Sequence, residues 1–258
     1  MSVASIRVVA LTHAGRVRVR NEDRVAVCGT LLAPNGESLH DRVVPSRDCP
    51  CRVLVCDGMG GHDAGDVASE LAARELDARL TTASGASEAS AAICETNRCV
   101  FDASVASGRV GMGSTVAGVS VTATGVLWFS AGDSRVYRFR DGFLRQLTTD
   151  DVGPGGGLTQ SLGGTRVLTE VSPQCGEDPL MPGWRYLICS DGLTKELPFE
   201  DLEAALQLEP MVAVRCLFDG AMAHGGSDNI SLAVVALQPP STEGALAVVR
   251  PGDEMRTV

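Results

Sequence analysis

Val53-Leu-Val-Cys-Asp-Gly-Met-Gly-Gly-His62 reads as an apolar strand that ends on an aspartate and breaks at once into a glycine-rich turn. A strand delivers a carboxylate at a fixed height, and glycines remove the Cβ atoms that would keep an ion or a phosphate away from the backbone. Taken singly, such an Asp-Gly turn is ordinary hairpin chemistry. The same placement, however, returns along the chain. Trp128-Phe-Ser-Ala-Gly-Asp-Ser-Arg-Val-Tyr137, Tyr186-Leu-Ile-Cys-Ser-Asp-Gly-Leu193 and Gly225-Gly-Ser-Asp-Asn-Ile-Ser-Leu-Ala-Val-Val235 each set an aspartate at a strand edge. A further acidic cluster, Asn21-Glu-Asp-Arg24, leads directly into the apolar run Val25-Ala-Val-Cys28. One strand-end carboxylate is normally a turn residue facing water; several with one placement point to a shared site.

Working outward, 6–12 is an apolar strand and 24–32 continues as another after the acidic cluster. Residues 33–50 carry Pro, Gly, Asn, Ser and charge without periodicity and read as a loop. Helices are expected over 66–80, with Val67, Leu71, Leu76 and Leu80 at helical spacing, and over 87–106, with Ile93, Val100 and Val105 on the apolar side. From Gly113 the period changes to that of strands, at 115–122, 125–131 and 134–140, and Asp141-Gly142 supplies a hairpin turn into 143–147. A strand at 185–190, helices at 199–208 and 211–224 and a last strand at 230–237 follow. Helix pairs interrupting blocks of antiparallel strands imply a sheet sandwich with helices on its outer faces. Beyond Pro239-Pro240 the chain is polar and reads as a loose tail.

A chain of 258 residues can bury one good core and is expected to form one domain. Its 21% charged content is that of a soluble globular protein, and its net charge of −10 argues against a nucleic-acid or anionic-membrane partner. No uninterrupted apolar stretch approaches the ~20 residues that span a bilayer. There are nine cysteines, an odd number, and Cys28, Cys56 and Cys189 lie in apolar runs where a reduced thiol packs as a small hydrophobe. With no secretory leader legible, a reducing cytoplasm is expected. Cys49-Pro-Cys51, the only close pair in sequence, lacks the spacing of a zinc site. Gly153-Pro-Gly-Gly-Gly157 lacks the Lys-Ser/Thr of a P-loop.

Carboxylates with backbone carbonyls and water are ligands of hard cations, Mg²⁺ or Mn²⁺. With four histidines and no metal-binding pair among them at helical spacing, an oxygen-only site fits best. If Asp57, Asp191 and Asp228 converge, they can hold two cations with Asp57 shared. Such a pair of ions clamps a phosphoryl oxygen and activates water, so phosphate-ester hydrolysis needs no Ser or Cys nucleophile.

The ordered set Arg18-Val-Arg-Asn-Glu-Asp23, Asp57-Gly-Met-Gly-Gly-His62, Gly113-Ser-Thr115, Gly132-Asp-Ser-Arg-Val-Tyr137, Ser190-Asp-Gly-Leu193 and Asp228-Asn229 resembles the bacterial metal-dependent Ser/Thr protein phosphatases of the PPM, or type 2C, class over about residues 6–237. That resemblance implies an α+β fold, a four-layer α-β-β-α sandwich of two mainly antiparallel sheets flanked by helices. It places the phosphatase domain at 1–238 and a flexible tail at 239–258. It also implies two Mn²⁺ or Mg²⁺ ions, with Asp57 bridging, the Gly58 carbonyl on one metal, and Asp191 and Asp228 as direct ligands. Glu22 and Asp23 would hold metal-bound waters, and Asp133 with Asp191 a third, weaker ion. Arg18 resembles the guanidinium that grips the substrate phosphate, and His62 is the candidate general acid.

Around these residues, Ser114 and Thr115 are expected to satisfy local backbone, and Arg135 and Tyr137 to support Asp133 or pack in the sheet. His13, His40 and His224 read as surface or capping residues. The flap segment that family members carry before the Ser-Asp-Gly strand is shortened here to Val152-Gly-Pro-Gly-Gly-Gly-Leu-Thr-Gln-Ser-Leu-Gly-Gly164. By the same resemblance the partners are phosphorylated Ser/Thr proteins and a cognate Ser/Thr kinase, with a bacterial secretion system as one setting, acted on by a cytoplasmic monomer. A partner-binding pseudophosphatase competes with this reading but is at odds with the complete ligand set. A carboxylate-metal nuclease is disfavoured by the acidic balance and the lack of a basic track.

Overall fold

Ser5–His13 and Ile230–Gln238 pair antiparallel along their whole length, with Val9 opposite Val234. Most of their residues are buried on both faces, as near-continuous Val, Leu and Ala sequence requires. They form the centre of a six-stranded sheet whose spatial order is Phe143–Gln146, Arg135–Arg140, Arg185–Cys189, Ile230–Gln238, Ser5–His13 and Ser38–Pro45. A second six-stranded sheet runs in the order Gln174–Pro179, Gly125–Ala131, Val116–Val121, Cys51–Cys56, Arg24–Val27 and Thr30–Leu31. These strand positions come from a computed structural model describing residues 2–60 and 64–240. His62 and all but the first two residues of the expected tail 239–258 lie outside the described residues.

The two sheets meet face to face over Ile6, Val8, Tyr186 and Val235 from the first and Val25, Val53, Val119 and Val126 from the second. Helices α1 (Gly65–Arg79) and α2 (Ala86–Ala106) cover the outer face of the second sheet, where Leu76 and Ile93 pack with Leu54 and Phe129. After the short α3 (Asp191–Thr194), α4 (Phe199–Ala205) and α5 (Pro210–His224) cover the first, where Leu202, Val214 and Leu217 pack with Leu11 and Val234. The order of layers is therefore helix, sheet, sheet, helix, as the sequence implied. Among the described residues no helix is long and apolar enough to cross a membrane.

Four sequence expectations need correction. Residues 33–50 are not all loop: Ser38–Pro45 pairs with Ser5–His13, and its polar residues suit a half-exposed sheet edge. The strand Gln174–Pro179, which the sequence did not announce, is likewise an edge, with its proline at the last position. On α1 the buried stripe is Ala68, Ala72, Ala73 and Leu76, while Val67 is exposed, because small side chains let the helix lie close to the sheet. On α2, Val105 is 52% exposed, and the buried face includes the polar Thr96 and Asn97. Asn97 holds its place by donating to Thr169 O at 2.9 Å and accepting from Gly163 N–H at 2.8 Å. The Asp141-Gly142 turn is as expected, with φ of 53° and 87° in a two-residue link between Arg140 and Phe143.

Between the sheets lies a buried charged pair, Arg138 and Asp178. Asp178 of the second sheet accepts from Arg138 and, at 3.1 Å, from the Tyr186 hydroxyl, both on the first sheet. The Arg138 and Asp178 side chains are only 11% and 8% exposed. Loss of one partner would strand the other charge in a low dielectric. Asp178→Ala should therefore lower unfolding free energy by about 3–5 kcal/mol in a urea titration; a loss below about 1 kcal/mol, the scale of an exposed pair, would contradict this account.

Candidate functional site

At one end of the sandwich the strands of both sheets deliver their acidic residues to one cavity of about 550 Å³. Asp57 follows Cys51–Cys56, Asp191 follows Arg185–Cys189 and opens α3, Asp228 precedes Ile230–Gln238, and Asp133 links Gly125–Ala131 to Arg135–Arg140. All four line the cavity with Glu22, and so do Arg18 and Gly58. Asp23 does not line it; this residue is fully buried behind. Leu158, from the short segment expected to replace a flap, stands at the cavity wall.

Close backbone approach makes this convergence possible. A Cβ on Gly58 would overlap the carbonyl oxygens of Gly65 and Glu22, so glycine is required where α1 meets the acidic strand. A Cβ on Gly192 would strike the Asn229 carbonyl, which joins the Asp191 and Asp228 segments. Polar side chains then pin the approaching backbones. Asn229 accepts from Glu22 N–H at 2.8 Å and donates to the carbonyls of Ala14 at 3.0 Å and Arg20 at 2.8 Å, so one side chain fastens the whole Arg18-containing segment. Ser69 of α1 donates to Glu22 O at 2.5 Å. Thr115 accepts from Asp57 N–H at 3.1 Å through its hydroxyl and donates its own N–H to Asp57 O at 2.8 Å. Ser114 donates to the same oxygen, so both residues serve local backbone as expected.

Arg135 pairs with Asp150 at 2.6 Å and donates to the hydroxyl of the buried Tyr137, so of the two expectations for this pair, packing in the sheet is the one that fits. His13 accepts from Gly15 N–H and stacks edge-on against Phe218, while His224 bonds Gly220 O in the last turn of α5. His40 is half-buried on the edge strand Ser38–Pro45, with its Nε2 covered and without a partner among the described residues.

The electrostatics are those of crowded like charges. Burial, and then the negative charges of Asp23, Asp191, Asp133 and Asp228, push the Asp57 carboxyl well above the usual carboxylate range. Burial pushes Asp23 up to about 7, against hydrogen bonds from serine hydroxyls and with help from Asp191 and Asp228. Asp133 rises to about 6 through burial and Asp191. Asp228 moves the other way. Burial alone would raise it, but hydrogen bonding from Lys195 and Asn229 N–H, the Lys195 charge and Arg18 together hold it low.

Lys195 and Arg18 thus pair with these acids. Lys195 Nζ lies 2.6 Å from Asp191 and 3.1 Å from Asp228, and Arg18 Nε lies 2.8 Å from Asp228. Lys195 was not read from the sequence, although its spacing four residues after Asp191 in Asp191-Gly-Leu-Thr-Lys195 is a legible helical signal. Also missed was a buried polar chain behind Asp23: Asn21 donates to Thr12, Thr12 bonds Ser231, and Ser190 donates to Asp23 Oδ2 at 2.8 Å. Its only signal was hydroxyls inside otherwise apolar strands.

Among the described residues no group of three or more His, Cys, Asp or Glu side chains is already arranged to hold a metal ion. The donors fit hard cations nonetheless. Asp23 Oδ1 and Asp191 Oδ1 are buried without a hydrogen-bond partner among the described residues, and the cluster's charge is only partly offset by Lys195 and Arg18. Divalent cations would supply the missing charge and ligate these oxygens.

Comparison with known proteins gives a consistent answer. The model of the protein phosphatase 2C family matches residues 28–224. The serine/threonine protein phosphatase PstP of Mycobacterium tuberculosis is 30% identical over 249 residues, covering 89% of this chain but only 44% of that protein. The solved structure of PppA, a key regulatory component of the T6SS in Pseudomonas aeruginosa, has a TM-score of 0.73 at 28% identity, covering 92% of this chain and 99% of that one. A solved catalytic domain of a PstP in complex with two manganese ions has a TM-score of 0.71 at 28% identity, covering 91% of this chain and 99% of the other.

The raised acids fix a sign for stability against pH. Because the folded chain holds protons on Asp23, Asp57 and Asp133 that the unfolded chain releases near 3.8, its stability falls as pH rises from about 4 through the folded values of about 6 for Asp133 and about 7 for Asp23. The thermal midpoint of metal-free protein should drop between pH 5 and pH 8 in roughly this window, and Lys195→Ala should steepen the drop. Added Mn²⁺ should reverse it. A midpoint that rises with pH, or that Mn²⁺ leaves unmoved, would contradict this electrostatic reading.

Proposed function

Because the chain belongs to the protein phosphatase 2C family, we propose that it hydrolyses phosphoserine and phosphothreonine esters in proteins with two Mn²⁺ or Mg²⁺ ions. The observation that carries this reading is the convergence of Asp57, Asp133, Asp191, Asp228 and Glu22, from strands of both sheets, on one cavity with Arg18 among its walls. When bound there, the ions polarise a phosphoryl oxygen and make water nucleophilic near neutral pH.

Each residue has a part in that scheme. Asp57, the Gly58 carbonyl, Asp191 and Asp228 would hold the two cations, with Asp57 shared between them. Glu22 orients water in the cavity, while Asp23, fixed by Ser190 from behind, supports that role from below. Asp133 with Asp191 offers a weaker third position. Arg18 presents two N–H groups, now directed at Asp228, whose fork matches a phosphate. His62 protonates the departing serine or threonine oxygen, a role that rests on its place in the Asp57–His62 motif. No covalent intermediate is needed, since water is the nucleophile.

The cavity is half enclosed and bordered by the short segment around Leu158, an opening suited to a phosphorylated side chain carried on another protein. The substrates are then phosphoproteins, among them a bacterial Ser/Thr kinase that this phosphatase opposes. The likeness to PppA supports a secretion system as the setting.

Release of phosphate from a phosphothreonine peptide should require Mn²⁺ or Mg²⁺ and stop on chelation. Asp57→Asn should lower the rate more than about 100-fold, beyond the usual cost of removing a residue that only supports a metal ligand. Cleavage of DNA with no action on the phosphopeptide would overturn the proposal in favour of a nuclease, and metal binding without any turnover in favour of a pseudophosphatase.

A further inference from the structure

Cys28, Cys49 and Cys51 have no part in the chemistry above, yet the fold brings them together at the opposite end of the strands that carry Asp23 and Asp57. Cys28 and Gly29 form the two-residue turn between Arg24–Val27 and Thr30–Leu31, with φ of 47° and 84° and Val27 opposite Thr30. Such a turn favours Gly, Asn or Asp at both positions, and a cysteine there is held in the left-handed region against its preference. Cys51 opens the neighbouring strand. Cys28 N–H donates to Arg52 O at 2.8 Å, and this fixes the two strands so that the Cys28 and Cys51 sulfurs lie 2.9 Å apart.

The two thiols differ in access. Cys51 is fully buried against the core between the sheets, whereas Cys28 and Cys49 are half-buried at its margin. The hydrogen bond between them draws the Cys28 thiol below its ordinary value and, with burial, pushes that of Cys51 up; burial opposes the first effect, and the charges of Arg42 and Arg52 favour it. Reactivity follows the thiolate and its exposure, so Cys28 is the thiol that an oxidant meets first.

We propose that Cys28 and Cys51 are a redox-modifiable pair that hydrogen peroxide closes to a disulfide. The Cys28 thiolate attacks one peroxide oxygen, the O–O bond breaks, and the released hydroxide takes up a proton to leave as water. Cys51 sulfur then attacks the Cys28 sulfenic acid: the S–S bond forms, the S–O bond breaks, and a second water leaves with the Cys51 proton. Two thiols lose two electrons in all, and one peroxide becomes two waters. The bond fastens the connection 29–50 onto the sheet and shields Cys28 from further oxidation.

Treatment of the whole purified protein with hydrogen peroxide, alkylation of remaining thiols and non-reducing peptide mapping by mass spectrometry tests this directly. The expected product is a peptide pair joined through Cys28 and Cys51, lighter by two hydrogens and separated again by dithiothreitol. Cys51→Ser should abolish the linked pair and leave a dimedone-reactive sulfenic acid on Cys28. The proposal fails if wild-type Cys28 and Cys51 are both recovered alkylated under conditions that oxidise the exposed Cys94 and Cys216, or if the linkage runs through Cys49.

Discussion

Mutual repulsion among carboxylates gathered at one end of the sandwich is the constraint on which the rest of the structure turns. Asp57, Asp133, Asp191 and Asp228 enter one cavity, with Asp23 buried behind them, and burial strengthens every repulsive term. A fold gains nothing in stability from such an arrangement. It persists because covalent continuity with deeply buried strands holds each acid in place, and because positive charge is available to offset it. Lys195 and Arg18 provide part of that charge, fastened to Asp191 and Asp228.

Placement of the acids depends on backbones that nearly touch and on side chains that lock them. Gly58 and Gly192 permit the approach, and Asn229, Thr115 and Ser190 convert it into a fixed geometry through hydrogen bonds to backbone or to Asp23. These uncharged residues set the position of the charged ones, as supporting partners do around metal ligands in general. The long pairing of Ser5–His13 with Ile230–Gln238 orders the first sheet, and the buried contacts of Asp178 with Arg138 and Tyr186 tie the second sheet to it.

Much of this was legible in the sequence because its cause is local. Each aspartate that lines the cavity stands where an apolar run meets Gly, Ser or Asn, and Asp141-Gly142 declares its own turn. The edge strands Ser38–Pro45 and Gln174–Pro179 were not legible, since a strand paired on one side and wetted on the other need not be apolar. On α1, alanines mark the buried stripe through close packing, a tertiary preference that hydrophobicity alone misassigns to Val67. Lys195 escaped notice because a lysine after an acidic helix start is usually a solvated partner, and its second contact, to Asp228, comes from a distant segment. The meeting of Cys28 with Cys51 was hidden for the same reason: nothing local signals which strands will be neighbours.

The central claim is that these acids form a site for a pair of hard cations. Anomalous diffraction at the manganese edge, from crystals grown with Mn²⁺, tests it most directly. Two peaks roughly 3.5–4 Å apart, with Asp57 between them and Asp191 and Asp228 ligating, are the result the account predicts. Crystals saturated with Mn²⁺ that show no peak in this cavity, with Lys195 and Arg18 still joined to Asp191 and Asp228, would contradict it.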